Sequence, residues 1–212
     1  MKTIKSQQRH NKLYDIAEAQ EGYFTAKQAE TAGFLPTNYQ YHVRTGAWIR
    51  EDRGIYRLKN FPMPARGQLI HYLLWSRDRS EKIQGVYSHE TALTIHELSD
   101  VMPAKLHMTV PTTFRKSVKI PKVLILYYKD IDPEDVEYKN YIRVTKPLAT
   151  ILDLIQTKTT SFEFVEQALV QGVIRGLIPI GSLKSEKIPK EIRTMFNQWL
   201  AHARAFKKVA GD

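Results

Sequence analysis

The chain has 212 residues, of which 42% are hydrophobic and 25% are charged, a composition typical of globular proteins. It contains no cysteine, which excludes disulfide bridges, thiolate nucleophiles and cysteine metal sites. The start of the sequence lacks the apolar segment of a signal peptide, and no apolar run approaches the ~20 residues that span a bilayer. These features predict a cytoplasmic protein without contact to a membrane.

The formal net charge is +10, which favours a polyanionic partner. The excess lies at the two ends of the chain. Residues 1–60 hold 10 basic against 6 acidic side chains, residues 184–212 hold 7 against 3, and residues 61–183 hold 15 against 13. The nearly neutral middle is expected of a packed scaffold.

The first two predicted helices lie within the first 33 residues. Apolar residues recur at helical spacing in residues 7–20, and Gly22 then stops this helix. Thr25 is followed three positions later by Gln28, which matches a capping box at the start of a second helix. Gly33 ends that short helix.

A third helix and a hairpin complete this region. Thr37 is placed to cap a helix that runs to Thr45, and Gly46 is placed to close it in a left-handed conformation. Two short apolar runs flank a glycine-containing turn in residues 48–58, the pattern of a β-hairpin. Three helices followed by a hairpin predict a winged helix-turn-helix domain over residues 1–60.

Two prolines after residue 60 indicate a linker, so residues 61–212 are predicted to form a second domain. Its pattern mixes helices and strands, and the fold class is therefore α+β: a winged helix-turn-helix followed by a mixed α/β C-terminal domain. The strand at 106–110 alternates and should be half-buried, whereas 122–128 is apolar on both faces and should be central. Ser88, Ser161 and Pro147 mark helix starts, and a basic terminal helix spans about 190–208.

The third helix carries the clearest functional pattern. Tyr39, His42 and Val43 share one face, which we expect to pack inward. The opposite face then presents Thr37, Asn38, Tyr41, Arg44 and Thr45.

These residue types are those that read duplex DNA. Asparagine can bond adenine bidentately in the major groove and arginine can do the same to guanine, while tyrosine and threonine contact phosphates. The hairpin adds Arg50, Arg53 and Arg57, where a wing can hold the DNA backbone or enter the minor groove. The alternative interpretation is an ordinary solvated helix face on a winged helix that serves as a protein-interaction module.

Three segments, in order, carry a family resemblance. Residues 43–58 end a helix and close a wing on an Arg-Gly-aliphatic-Tyr sequence, and residues 87–111 and 142–154 supply the other two segments. Together they resemble the AbiEi family of bacterial antitoxins, the regulator half of AbiE-type type IV toxin–antitoxin systems. The resemblance covers roughly residues 10–180. Glu97 occupies a position where a glycine is expected in that family.

The resemblance implies a repressor that binds inverted repeats in its own promoter. It also implies a functional partner, a nucleotidyltransferase-like toxin that the antitoxin opposes without a stable complex being required. The C-terminal domain would then organise DNA binding or antitoxicity. No cofactor is expected.

Enzymatic chemistry finds little support in the sequence. Ser88 beside His89 could suggest a nucleophile and base, but Ser88 is better used as a helix cap. Glu137 and Lys139, preceded by acidic residues, faintly resemble the core of a restriction-type nuclease, which remains an alternative function. That core needs its acidic groups on two separate strands, and the intervening segment here is short. We therefore expect neither a catalytic residue nor a metal site.

Overall fold

The computed structural model describes residues 2–62 and 66–209, with side chains described within residues 6–202 outside that gap. The contacts divide the chain into two compact units, Met1–Gly85 with Asn140–Ile142, and Val86–Lys139 with Arg143–Asp212. Each unit combines helices with a sheet, which confirms the predicted α+β class. Among the described residues, no helix has both the length and the apolar character needed to cross a bilayer.

The first unit surrounds a three-stranded antiparallel sheet in which β3 lies between β1 and β2. Its core is aromatic, and Phe24, Trp48 and Tyr56 are all buried within it. The elements in chain order are α1 (Lys2–Glu18), β1 (Tyr23–Thr25), α2 (Ala26–Thr31), a 3-10 turn (Pro36–Asn38), α3 (Tyr39–Arg44), β2 (Trp48–Asp52), β3 (Ile55–Leu58) and α4 (Gly67–Trp75). The short strand β1 was not apparent in the sequence pattern.

Local hydrogen bonds explain the predicted start of α2 and the predicted end of α3, but the predicted start of α3 is wrong. Thr37 lies within the 3-10 turn Pro36–Asn38 and does not cap α3, whose N-cap residue is Asn38. The Thr25 hydroxyl accepts from the Gln28 amide at 3.1 Å while the Gln28 side chain accepts from the Thr25 amide at 2.8 Å, so the capping box is confirmed. Gly46 has a φ of +75°, as predicted for a left-handed stop after α3. Its amide donates to Val43 and that of Ala47 donates to His42, the two bonds of a Schellman motif.

The first unit extends beyond the winged-helix boundary placed at residue 60. Helix α4 packs against β1 and β3, and its residues Ile70, Leu73 and Leu74 are buried. These apolar side chains pack into the interior of the first unit. Helix α4 therefore belongs with the first 60 residues and not with the second unit.

The second unit is built on a mixed five-stranded sheet with the order β6-β5-β4-β8-β7. Strand β4 pairs antiparallel with β5 and parallel with β8, and β5 pairs parallel with β6. The elements are β4 (Val86–Tyr87), α5 (His89–His96), β5 (Leu106–Val110), β6 (Leu124–Tyr128), a 3-10 turn (Pro133–Asp135), β7 (Val136–Lys139), β8 (Ile142–Thr145), α6 (Pro147–Thr157), α7 (Phe162–Ile174), a 3-10 helix (Ile180–Lys184) and α8 (Lys190–Val209).

Two predictions about these strands are wrong. The apolar segment 122–128 forms β6, which lies at the edge of the sheet rather than at its centre. Strand β5 is buried on both faces rather than one. Its polar residues His107 and Thr109 are buried and bond the hydroxyls of Tyr127 and Ser88. In β6 only Leu124 is buried and Tyr128 is 51% exposed, so the apolar pattern predicted neither the position nor the burial of this strand.

The helix starts of the second unit fall where predicted, but their caps differ from the expectation. Ser88 and Ser161 both occupy N-cap positions without making a side-chain capping bond. The Ser88 hydroxyl instead accepts from the Thr109 hydroxyl at 2.8 Å and lies 2.8 Å from Nδ1 of His89. The Ser88 oxygen therefore accepts from the Thr109 hydroxyl and not from a backbone amide of α5.

Candidate nucleic-acid interface

The inner face of α3 fixes the orientation of the helix, as predicted. The Tyr39 hydroxyl donates to the carbonyl of Ala26 on α2 at 2.8 Å. His42 stacks on Trp48 with 4.5 Å between ring centroids. Burial lowers the pKa of His42, with further lowering by the charges of His10 and Arg9, in keeping with its packing against Trp48. Burial also raises the pKa of Tyr39 to about 12.

The outer face of α3 and the turn before it are exposed. The five residues of this surface that are predicted to contact DNA all have exposed side chains: Thr37, Asn38, Tyr41, Arg44 and Thr45. Asn38 is the N-cap residue of α3, yet its side-chain amide makes no capping bond. The hydroxyl of Thr45 donates to the Tyr41 carbonyl at 3.0 Å, so the same oxygen can still accept a hydrogen bond.

The hairpin contributes two exposed arginines. Arg53 lies at the two-residue turn between β2 and β3, where Gly54 has a φ of +71° and the Asp52 carboxylate accepts from the Arg53 amide at 2.6 Å. Arg50 lies on β2, an edge strand, and its side chain is exposed. Both guanidinium groups are free to approach an anionic partner from the hairpin.

Arg57 differs from the other predicted residues. It lies on the central strand β3, pairs in register with Ile49 and sits on the opposite face of the sheet from Arg50. Its Nε donates to Glu51 at 2.8 Å, and its guanidinium lies 5.9 Å from the centroid of the Tyr23 ring. Only 15% of the Arg57 side chain is exposed, and its guanidinium is already bonded within the sheet. Arg57 is therefore a weaker candidate for binding DNA phosphates than the sequence predicted.

The two acidic side chains of the hairpin differ in how far they are neutralised. Glu51 forms an ion pair with Arg57. The Asp52 carboxylate accepts from the Arg53 amide and lies 3.8 Å from His71, and because burial lowers the pKa of His71, neither partner cancels the charge of Asp52. The exposed cations Arg44, Arg50 and Arg53 outnumber Asp52, so this surface carries a net positive charge.

Sequence reasoning missed Leu35, which is 61% exposed immediately before the 3-10 turn. An apolar residue between two predicted helices gives no periodic signal, so only the fold reveals whether it is covered. The preceding Phe34 is buried, and the contrast between these neighbours places Leu35 at the outer surface.

Candidate catalytic groups of the second unit are engaged in internal contacts. Glu137 lies 3.5 Å from His96, and the Lys139 ammonium donates to the Ile95 carbonyl at 3.4 Å. Ser88 is fully buried between Thr109 and His89. Within the described residues, no three His, Asp or Glu side chains lie close enough together to hold a metal ion.

The sequence matches no model of a known protein family and shows no significant similarity to any curated protein.

Proposed function

We propose that the first unit is a winged helix-turn-helix that binds duplex DNA in a sequence-specific manner, and that the chain is a transcriptional regulator. The single observation that carries this proposal is the order α1-β1-α2-α3-β2-β3 with β3 central in the sheet, combined with exposed polar side chains on α3. In that arrangement α2 and α3 form the helix-turn-helix, and the hairpin β2–β3 is the wing.

The surface chemistry supports separate tasks for its residues. An α-helix fits the major groove, and residues near its N-terminus contact the base edges. Asn38, the N-cap residue of α3, then reads adenine. Arg44 is the last residue of the helix and has the longer side chain, with which it reads guanine. Thr37, Tyr41 and Thr45 contact the phosphates beside the groove, and Arg50 and Arg53 hold the backbone from the wing.

The more specific proposal is an autorepressing antitoxin of a type IV toxin–antitoxin pair. Its support is the resemblance of residues 43–58, 87–111 and 142–154 to AbiEi antitoxins. Co-expression with a nucleotidyltransferase-like toxin encoded beside it should restore growth. Growth arrest that persists despite full-length antitoxin would reject this role while leaving DNA binding intact.

DNA binding is tested by selecting duplexes from a random-sequence library with the full-length protein. We expect one preferred site, and Asn38→Ala and Arg44→Ala should each cost ~1–3 kcal/mol and relax the preference at one base pair. The matched controls Asn197→Ala and Arg79→Ala, which remove the same residue types from exposed positions elsewhere, should leave the preference unchanged. A library that yields no preferred sequence would overturn the proposal.

A further inference from the structure

Leu35 stands out among the exposed residues of the first unit. Its described large hydrophobic side chains with high exposure are Tyr14, Leu35, Tyr41 and Tyr141, of which Leu35 is the one aliphatic residue. Tyrosine has a hydroxyl that water can bond, whereas an exposed leucine offers water only apolar surface. Leu35 therefore presents an apolar contact surface that the first unit leaves uncovered.

The position of Leu35 beside Asn38 is fixed by the backbone. The Leu35 carbonyl accepts from the Asn38 amide at 2.9 Å, which closes a tight turn with these residues at its two ends. Pro36 has a fixed φ and restricts the turn further. The turn thus fixes the backbone positions of Leu35 and Asn38 relative to each other before any partner binds.

We propose that Leu35 packs against the 5-methyl group of a thymine in the major groove, within one base step of the base pair that Asn38 reads. This inference rests on the proposed DNA binding and names a specificity determinant for it. Thymine is the only base that carries a methyl group in the major groove, and apolar side chains recognise it by contact. The apolar side chain and the neighbouring amide together select adenine–thymine pairs.

The contact can be isolated by deleting the methyl group from the DNA and the side chain from the protein. The best duplex from the random-sequence library is prepared once with thymine and once with deoxyuridine at every thymine position. Dissociation constants are measured for the wild-type chain and for Leu35→Ala with both duplexes. Any effect of deoxyuridine on DNA shape, or on other contacts, is shared by both proteins and cancels in the ratio.

We expect the preference of the wild type for thymine over deoxyuridine to exceed that of Leu35→Ala by about fourfold, the effect of one methyl group removed from contact. Leu35→Met, which keeps an apolar side chain, should retain most of this preference. Met102→Ala, which truncates a residue that is 92% exposed in the second unit, should behave as wild type.

The outcomes separate this inference from the function on which it rests. Equal thymine preference in the wild type and Leu35→Ala, with both binding the selected duplex, would overturn the methyl contact and leave DNA binding standing. Failure of the wild type to bind any selected duplex would overturn both. A loss of affinity in Leu35→Ala that is the same on both duplexes would also overturn the methyl contact.

Discussion

The two units differ in where they keep their polar groups. Of the described polar residues that are buried, only Thr25 and Ser76 belong to the first unit. The second unit buries the other nine, which are Ser88, His89, Thr91, His96, His107, Thr109, Thr145, Thr150 and Asp153. The first unit has an aromatic interior and exposes most of its polar side chains to solvent. The second unit buries many of its hydroxyl and imidazole groups.

This contrast distinguishes polar groups that solvent or a partner can reach from polar groups buried in the fold. Several buried hydroxyls and imidazoles in the second unit bond one another or the backbone: the Thr145 and Thr150 hydroxyls lie 2.6 Å apart, and His96 Nε2 lies 2.8 Å from the Thr145 carbonyl. The other ring nitrogen of His96, Nδ1, is buried without a hydrogen-bond partner, as is Nε2 of His89. Burial keeps these groups away from solvent, whereas the amide and guanidinium groups of α3 and the hairpin are exposed.

The largest effect is expected from the aromatic interior of the first unit. Trp48 is buried and contacts the rings of Phe24, Phe34 and Tyr39 at centroid distances of 4.9, 5.1 and 5.4 Å. Trp48→Ala should lower the free energy of unfolding of this unit by ~3–5 kcal/mol, because the cavity removes these contacts. Hydrogen exchange of the β1 and β3 backbone amides measures this loss of stability. Unchanged protection of these amides in Trp48→Ala would contradict the assigned role of Trp48 in the core.

The buried histidines predict that acid destabilises the second unit. Burial lowers the pKa of His89 to about 3, with further lowering by the charges of His107 and Lys129. The unfolded chain, with a histidine pKa of 6.5, then binds a proton that the folded chain does not. The stabilisation is complete above the unfolded pKa and decreases as the pH falls towards 3, by ~2–3 kcal/mol at about pH 4.5.

Denaturant titrations across this pH range measure that loss. His89 has a φ of +52°, and asparagine tolerates this left-handed region better than most residues. His89→Asn should therefore fold and show a smaller decrease in stability on acidification than the wild type. The same decrease in both proteins would show that His89 does not cause it.

A smaller effect on stability is expected at the helix N-caps, where two variants can be compared directly. Thr25→Ala removes a capping box and should cost ~1 kcal/mol of unfolding free energy. Ser161 occupies the same kind of position without a side-chain capping bond, so Ser161→Ala should change the stability by less than ~0.5 kcal/mol. Equal losses in the two variants, measured by urea titration, would contradict the hydrogen-bond assignment.

The smallest effect is a gain. Glu97 ends α5 with a φ of +56°, the left-handed conformation that glycine adopts at little cost. Its contact with Arg175, 3.9 Å long with an 83%-exposed glutamate side chain, contributes little. Glu97→Gly should therefore raise the free energy of unfolding by ~0.5–1 kcal/mol. A lower midpoint in urea would contradict this.

Local signals in the sequence predicted local structure well. The capping box at Thr25, the left-handed stop at Gly46 and the inward face of α3 each depend on a few neighbouring residues and were confirmed. The two-residue strand β4 and the three-residue strand β1 were missed, because segments so short carry no measurable periodicity.

Properties set by distant contacts could not be predicted. Arg57 resembles the other hairpin arginines in sequence, and only the sheet register places it beside Glu51 and Tyr23. The hydroxyl of Ser88 was expected to cap a helix, but it accepts a hydrogen bond from Thr109 instead. Thr109 lies twenty-one positions away in the sequence, so no local pattern indicated this contact. Exposure of Leu35 likewise depends on how the surrounding helices pack.

The salt dependence of duplex DNA binding tests the central claim most directly. Each phosphate contact by a cation releases counterions, so the logarithm of the association constant should fall steeply and linearly with the logarithm of salt concentration. Arg53→Ala should make this slope shallower by about 1, whereas Arg57→Ala, which removes a guanidinium already paired with Glu51, should leave it unchanged. A slope near zero for the wild-type chain would contradict the proposal that this surface binds DNA.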